Sequence, residues 1–573
     1  MVSGASAPEA PARPDLPANA QANAQPTGLT PRQWAVVITA STGALLEIID
    51  TSITNVALIH IQASLGATLA EVGWVVTGYA MASVVMIPLS AWLSAVFGQR
   101  TYFIFCLIGF TAASMLCGLA PNLAVLVVAR ILQGLLGGGL LPKAQAILFQ
   151  AVPPALQATT QAVFGMVVLV GPALGPTLGG LLTDTLGWRW IFFINLPFGL
   201  LTVLMALAFL PPDRPAPLTT AASSAAGGSR WSRVDWTGIA LLTLCLASLQ
   251  VVLEQGHQLD WFESPLIRTL TLLALVSLPV FVVWELRRRN PAVDLRVLRH
   301  RSLAAGSLFA LVLGMGLYGT VFVVPVFAQG TLHYTATQTG LLILPGALAS
   351  GVTMALLGKV VNRIDPRLLI TAGALGMVGT MASLGAIGPD TGADALWWPL
   401  IFRGVTTVMM FLPLSLATLA PLPREDVPAG TGFYNLTRQL GGSFGIALLT
   451  LVLDHQSAVH RAHLVESLSL TDPQLQQRLF DLQFGLAAAA GAGSNAAADT
   501  AQQALQVLSL QVDRQAALLA YGDVFRLVGL LFLMVIPLVL LLGRPGALAP
   551  AGPASRQSDE SGPAALSGGR ERR

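Results

Sequence analysis

Charge is what this sequence has least of. Asp, Glu, Lys and Arg make up 10% of its 573 residues, against roughly 25% in soluble domains. That is too little to cover a soluble globule of this length, so a water-soluble fold is excluded. Cysteine is scarce too. The three, Cys106, Cys117 and Cys245, fall inside apolar runs and offer no disulfide framework. No basic patch interleaved with aromatics appears, which leaves nucleic-acid binding without support. The seven histidines include only His60 near the early apolar runs, so no nucleophile-and-base pair points to an enzyme. The glycine run at Gly137, Gly138 and Gly139 lacks the following Lys-Ser/Thr of a phosphate loop, and no other stretch reads as a nucleotide-binding domain. No cofactor is implied. Asp454 with His455 to His463 matches no metal-ligand spacing, so no metal is expected.

What the chain does have is apolar length. Hydrophobic residues are 54% and mean hydropathy is +0.69, gathered in runs of about 18–25 residues, enough to cross a bilayer core. The reading is an all-α integral membrane protein with fourteen transmembrane helices. The spans fall near 34–55, 69–93, 102–119, 123–148, 159–182 and 190–210, then 236–253 and 266–285. The last six lie near 303–328, 337–361, 367–387, 395–419, 431–453 and 521–543. The implied organisation is a disordered tail over 1–30, a six-helix half over 31–210, and a cytoplasmic linker over 211–235. Two inserted helices follow over 236–286, then a basic cytoplasmic loop over 287–302. A second six-helix half covers 303–543, with an outward excursion over 454–520, and a disordered tail fills 544–573. Thr471-Asp472-Pro473 is a helix start, so the excursion reads as two projecting helices interrupted at Gly491 and Gly493. The N-terminal tail has no early apolar core and does not read as a cleaved signal peptide.

Arginine and lysine orient the chain. With both termini cytoplasmic, Arg100, Arg214, Arg230, Arg233, Lys359, Arg363, Arg367 and Arg424 lie inside, with the cluster Arg287, Arg288, Arg289, Arg296, Arg299 and Arg301. The opposite loops keep only Arg189, Arg268, Arg461, Arg478 and Arg514, as the positive-inside rule expects. There is also a repeat. Gly73 precedes Ala91, Gly98 and Arg100 at the same offsets by which Gly340 precedes Gly358, Asp365 and Arg367. Parallel six-span repeats are the trace of an alternating-access transporter with its substrate site between the halves.

Ionisable groups inside spans are costly and therefore mark function. Glu47 and Asp50, three residues apart in the first span, share a helix face. Two carboxylates so close do not easily both ionise, so one is expected to hold a proton and serve in coupling; a structural hydrogen bond to another span is the other role open to each. In the fourth span Arg130 needs a counter-charge, for which Glu47 and Asp50 are the candidates. It is either a static clamp or a charge that tunes carboxylate proton affinity. Gln133 lies one turn on. Gly134, Gly137, Gly138 and Gly139 allow another backbone close by. In the fifth span Gly171, Gly175 and Gly179 recur every four residues, with Gly180, and Pro172 and Pro176 each remove a donor. A kinked, tightly packed gate is the expectation. Arg403 and Arg438 are clamps or pathway residues of the second half. Lys143, near a span end, is expected to snorkel to the interface.

These residues together resemble the major facilitator superfamily and, within it, the fourteen-span drug:proton antiporters of the EmrB/QacA type. The resemblance runs from about Trp34 to Gly543. It is carried by Asp50-Thr51 with Asn55-Val56-Ala57, by Arg130 with Gln133-Gly134, and by Gly171, Gly175, Pro176, Gly179 and Gly180. Trp190 to Pro197, Leu259 to Phe262, Val283 to Leu286 and Asn290-Pro291 extend it. It implies two six-helix halves plus an inserted pair, in a bacterial inner membrane. It implies proton-driven export of hydrophobic small molecules, with Asp50 and Arg130 in the coupling network; Glu47 stands beside them as a coupling candidate, and Asn55, Gln133, Arg403 and Arg438 are the candidates for the substrate pathway. It also implies a periplasmic membrane-fusion adaptor and an outer-membrane channel as partners, beside protons and the lipid bilayer. A proton-coupled uptake symporter or facilitator on the same fold is the alternative. The loop after the second span departs from the family pattern: Ala91, Ala95 and Val96 stand where Gly, Asp and Arg are usual, and only Gly98 and Arg100 remain. The charge relay of that loop is therefore not expected to survive intact.

Overall fold

The computed structural model describes residues 28–213, 235–288, 291–332, 334–386, 388, 393–469, 472–490 and 496–542. Both expected tails, the linker with Arg214, Arg230 and Arg233, Arg289, and Gly491 and Gly493 fall outside or almost wholly outside the described residues. Fourteen helices among those described are long and apolar enough to cross a membrane. They occur where the apolar runs are, and their ends follow local chemistry. Thr30, Thr68 and Thr335 each begin a span with a capping box, in which a Gln or Glu three residues on bonds back to the threonine.

Spans one to six form one half and spans nine to fourteen the other. The halves meet on the face where the loops after spans four, ten and twelve emerge. There Gln150 Nε2 donates to the Arg424 carbonyl at 3.2 Å and Asn362 Nδ2 to the Ala155 carbonyl at 3.4 Å. Deeper in, Asn435 Nδ2 of the thirteenth span donates to Gln145 Oε1 of the fourth at 2.6 Å, and Gln145 Nε2 donates to Ser415 Oγ of the twelfth at 3.0 Å. This conformation is thus closed on that face. Span seven (Trp236–Gln255) ties to both halves: Gln255 Nε2 donates to Thr77 Oγ1 and Gln250 Nε2 to Ser443 Oγ, each at 2.8 Å. Span eight (Pro265–Arg287) lies outermost and exposes Leu272, Leu275 and Val276, as a lipid-facing helix does.

Two expectations need correction. The fourth span runs over Leu123–Ala151 as expected, with its helix interrupted by a turn at Gly138–Gly139 between Leu123–Gly137 and Leu140–Ala151. Every residue from Leu140 to Phe149 is buried, Lys143 included at 2% exposure. Lys143 does not reach an interface, because this segment is packed on all sides rather than on one. The outward excursion also differs from two free-standing helices. Span thirteen runs unbroken over Val427–Ser467 and the last span over Ala496–Val535. At 1.5 Å per residue each is about 60 Å long, roughly twice the hydrocarbon core, so both project well beyond it. One separate helix, Pro473–Ala490, lies between them, started by Asp472 capping the Gln474 amide.

Candidate transport and coupling site

Close packing of the second and fourth spans positions the charged centre. A Cβ at Gly134 would come within 2.5 Å of the Tyr79 carbonyl oxygen, and one at Gly138 within 2.5 Å of the Ser83 Cα. Only glycine lets these backbones approach so closely. Arg130, one turn before Gly134, then reaches the Val75 carbonyl through Nε at 3.1 Å and lies 4.3 Å from the centre of the Tyr79 ring. Its Nη1 donates to Asp50 Oδ2 at 2.6 Å and to Gln133 Oε1 at 2.7 Å. Of the two candidate counter-charges, Asp50 is the one engaged.

Asp50 is fully enclosed by donors. Oδ1 accepts from Gln133 Nε2 at 2.9 Å and from Asn195 Nδ2 at 2.7 Å. Asn195, at the start of the sixth span, is steadied by Ser114 Oγ at 3.0 Å. Asp50 and Arg130 side chains are each 1% exposed. A carboxylate with three donors, one of them a guanidinium, has its negative charge compensated. Gln133 therefore belongs to this centre and not to an open pathway. Asn55, expected on the pathway, is exposed one turn further on, outside the network.

Glu47 and Asp50 do not bond to each other. Glu47 Oε2 accepts from the Leu141 amide at 2.9 Å. The break at Gly138–Gly139 creates a new helix N-terminus there, and its free N–H groups suit a carboxylate. The two acids thus have separate partners: a cation for Asp50 and a helix end for Glu47.

The fifth span links this centre to the space between the halves. Pro176 has no N–H, so the Pro172 carbonyl four residues earlier loses its helical partner. Ser52 Oγ, two residues beyond Asp50, donates to that carbonyl at 2.8 Å. A Cβ at Gly171 would come within 2.7 Å of Ile48, one at Gly175 would overlap Ser52, and one at Gly179 would come within 3.2 Å of the Ile53 carbonyl oxygen. These three glycines form the flat face expected of the motif. Gly180 does not belong to it, for nothing lies within 4 Å of a Cβ there. Pro172 and Pro176 also line a cleft shared with Thr320, Val324, Ile343 and Arg403 of the second half. Arg403 Nη1 donates to Thr320 Oγ1 at 3.0 Å. Arg438 is buried nearer the closed face, donating to Tyr318 Oη at 2.8 Å and Asn435 Oδ1 at 3.0 Å.

With this geometry in hand, the relatives decide the family. The profile of the Major Facilitator Superfamily matches residues 40–446. The multidrug export protein EmrB of Escherichia coli (strain K12) is 32% identical over 508 residues, covering 88% of this chain and 94% of that protein. The chain is an EmrB-type member of the major facilitator superfamily. The fatty acid resistance protein FarB of Neisseria gonorrhoeae is 32% identical over 512 residues, 89% of this chain and 96% of that one. Among solved structures, the proton:xylose symporter XylE superposes with a TM-score of 0.53 at 14% identity, over 88% of this chain and 96% of that one. That likeness establishes the facilitator fold, with two six-helix halves and here an inserted pair. The protein is accordingly a multi-pass membrane transporter.

The departure from the superfamily's loop pattern after the second span has a structural answer. Asp213, just past the sixth span, accepts from the Arg100 amide at 2.8 Å and from the Thr101 amide and hydroxyl at 3.1 and 2.8 Å. It caps the third span (Gln99–Gly118) from outside that helix. Gly98, at φ +91°, has no Cβ to collide with it. Partial burial works to raise the Asp213 carboxyl, but the hydrogen bonds from Arg100, Thr101 and Gln99 outweigh it and hold it below the usual carboxylate range. At the equivalent repeat position, Asp365 caps its own span, accepting from the Arg367 amide at 2.9 Å. Sequence reasoning singled out neither Asp213 nor Asn195 as a site residue; each is an ordinary polar residue at a span end until its neighbours are known.

Proposed function

We propose that this protein exports hydrophobic small molecules in exchange for protons, across a bacterial inner membrane with both termini cytoplasmic. The observation that carries this reading is the Asp50–Arg130 pair, sealed inside the first half with Gln133 and Asn195 as further donors. Protonating Asp50 removes the counter-charge of Arg130 and places a new O–H among groups that are themselves donors. The enclosure then no longer fits, and the first span must shift. Ser52, two residues on, carries that shift through the Pro172 carbonyl into the fifth span and the cleft between the halves. Arg130 in this scheme tunes the proton affinity of Asp50, while Glu47 reports on the broken fourth span. One charge crossing the membrane releases roughly 2.3 kcal/mol per 100 mV, so one or two protons sustain a useful gradient of substrate.

Export of several drugs is supported by the similarity to the multidrug export protein of Escherichia coli and by an apolar cleft with few polar groups. A periplasmic adaptor and an outer-membrane channel fit the projecting ends of the thirteenth and last spans. On the helix between them, Phe480 and Phe484 stack in the open, 67% and 68% exposed; such a patch suits a protein partner. In inside-out vesicles with an imposed proton gradient, the expected result is substrate accumulation that an ionophore abolishes. Accumulation indifferent to the gradient would replace antiport with facilitated diffusion, and accumulation in right-side-out vesicles would replace export with uptake.

A further inference from the structure

The outermost helix, span eight, carries a groove on its outer surface far from the cleft between the halves. Pro279, Val280, Val283, Trp284, Arg287 and Arg288 line it, and it measures about 600 Å³. Val280, Val283, Trp284 and Arg287 stand at helical spacing on one face, so the groove runs lengthwise along the helix. Pro265–Arg287 is about 35 Å long, close to the thickness of the hydrocarbon core. Arg287 and Arg288 therefore lie at one headgroup layer, while Pro279 and Val280 lie about 12 Å deeper, among acyl chains.

The two cations at its upper end differ in their partners. Trp284 Nε1 donates to both carboxylate oxygens of Asp235 at 3.0 Å, which fixes the indole ring. Arg288 lies 4.8 Å from the centre of that ring, with its Nε 3.8 Å from Asp235 Oδ2. Asp235 thus answers one positive charge. Arg287 is exposed, and among the described residues no carboxylate forms an ion pair with it. Glu285 is buried against Gly238 of span seven and does not line the groove. A helix C-terminus ordinarily repels anions. Here Arg296 Nη2 donates to the Leu286 and Arg288 carbonyls at 3.1 and 2.9 Å, which makes this end positive. An unmatched guanidinium at headgroup depth above an apolar wall is complementary to an acidic headgroup with chains below it. We propose that this groove is a site for an anionic phospholipid. The phosphodiester lies at Arg287 and Arg288, whose N–H groups its oxygens accept, and an acyl chain lies along Val283, Val280 and Pro279. One unanswered positive charge selects a lipid of one net negative charge over a zwitterionic one. In the proposed orientation the lipid belongs to the cytoplasmic leaflet. The site stands whatever the protein transports and whatever drives it.

The test is native mass spectrometry of the full-length protein, delipidated in detergent at neutral pH. It is titrated with dioleoylphosphatidylglycerol or dioleoylphosphatidylcholine, which share their chains, and with inorganic phosphate as the free anion. Wild type is expected to bind the first phosphatidylglycerol about tenfold more tightly than phosphatidylcholine, and inorganic phosphate does not displace it. Arg287→Gln lowers phosphatidylglycerol to the affinity of phosphatidylcholine and leaves phosphatidylcholine unchanged. Arg268→Gln, an equally exposed arginine at the opposite end of the same span, keeps the preference. Equal affinities of wild type for the two lipids overturn the proposal, and so does Arg287→Gln with the preference intact. Displacement by inorganic phosphate would make this a free-anion site, and loss of the preference in Arg268→Gln would make it general surface charge; either outcome also overturns it.

Discussion

The two halves treat buried charge in opposite ways. In the first, Arg130 and Asp50 neutralise each other inside a shell of Gln133, Asn195 and the Val75 carbonyl, with no opening to the cleft. In the second, Arg403 lies on the cleft with a threonine for company. A closed, self-compensated pair can respond to a proton but has no vacancy for a substrate. A buried cation on the cleft wall with no carboxylate partner among the described residues keeps its charge and cannot titrate. The fifth span touches Ser52 on one side and lines the cleft on the other, and on the proposed reading it joins the coupling pair of the first half to the cleft.

Stability measurements would break or sharpen this contrast first. Asp50→Ala strands Arg130 in the first half and is expected to cost about 3–5 kcal/mol, read as a large fall in thermal unfolding temperature in detergent. Arg403→Gln removes a charge that has no counterpart, and without ligand should leave that temperature unchanged or raise it. Equal losses from both would mean that Arg403 has a hidden partner. Next in size is the fifth span. Gly175→Ala forces the Ser52 side chain away and is expected to cost about 1–3 kcal/mol and to slow transport. Gly180→Ala, five residues on in the same motif, meets open space and should stay within about 0.5 kcal/mol of wild type. Ser52→Ala leaves the Pro172 carbonyl without its donor, for about 1 kcal/mol. Its signature is weakened coupling at preserved equilibrium binding of substrate.

The smallest effect concerns the loop after the second span. Because the folded Asp213 carboxyl titrates below its ordinary value, its contribution is present above the unfolded value of about 3.9 and is lost as pH falls through the folded one. Asp213→Asn should remove that pH-dependent part. Asp213 is exposed and screened, so the change is under about 1 kcal/mol, detectable as a flatter stability curve on acidification.

The fourteen spans were legible because apolar length is unmistakable against so little charge. Asp50, Glu47 and Arg130 were legible for the same reason: an ionisable group inside a span stands out. What escaped were residues whose role depends on a partner far along the chain. Asn195 lies 145 residues from Asp50, and Asn435 lies 290 from Gln145. Asparagine and glutamine at span ends carry no pattern that singles them out. Lys143 was misplaced because burial on every side of the Leu140–Ala151 segment has no periodic signature. The pairing of Glu47 with a helix end needed the break at Gly138–Gly139, which a run of glycines permits but does not announce. The repeat positions Gly98 and Asp365 were visible, while the supply of the missing cap by Asp213 needed the sixth span folded back beside the third.

Coupling of protons to the cleft is proposed to run through the sealed pair in the first half. It is tested most directly in proteoliposomes holding only this protein, by following drug-triggered proton movement and gradient-free drug exchange in wild type and in Asp50→Asn. The amide keeps an oxygen for Gln133 and Asn195 to bond but cannot cycle a proton. Wild type is expected to show both activities, and Asp50→Asn to lose proton movement while retaining drug exchange. Drug-triggered proton movement at the wild-type rate in Asp50→Asn would contradict it and place the coupling elsewhere in the molecule.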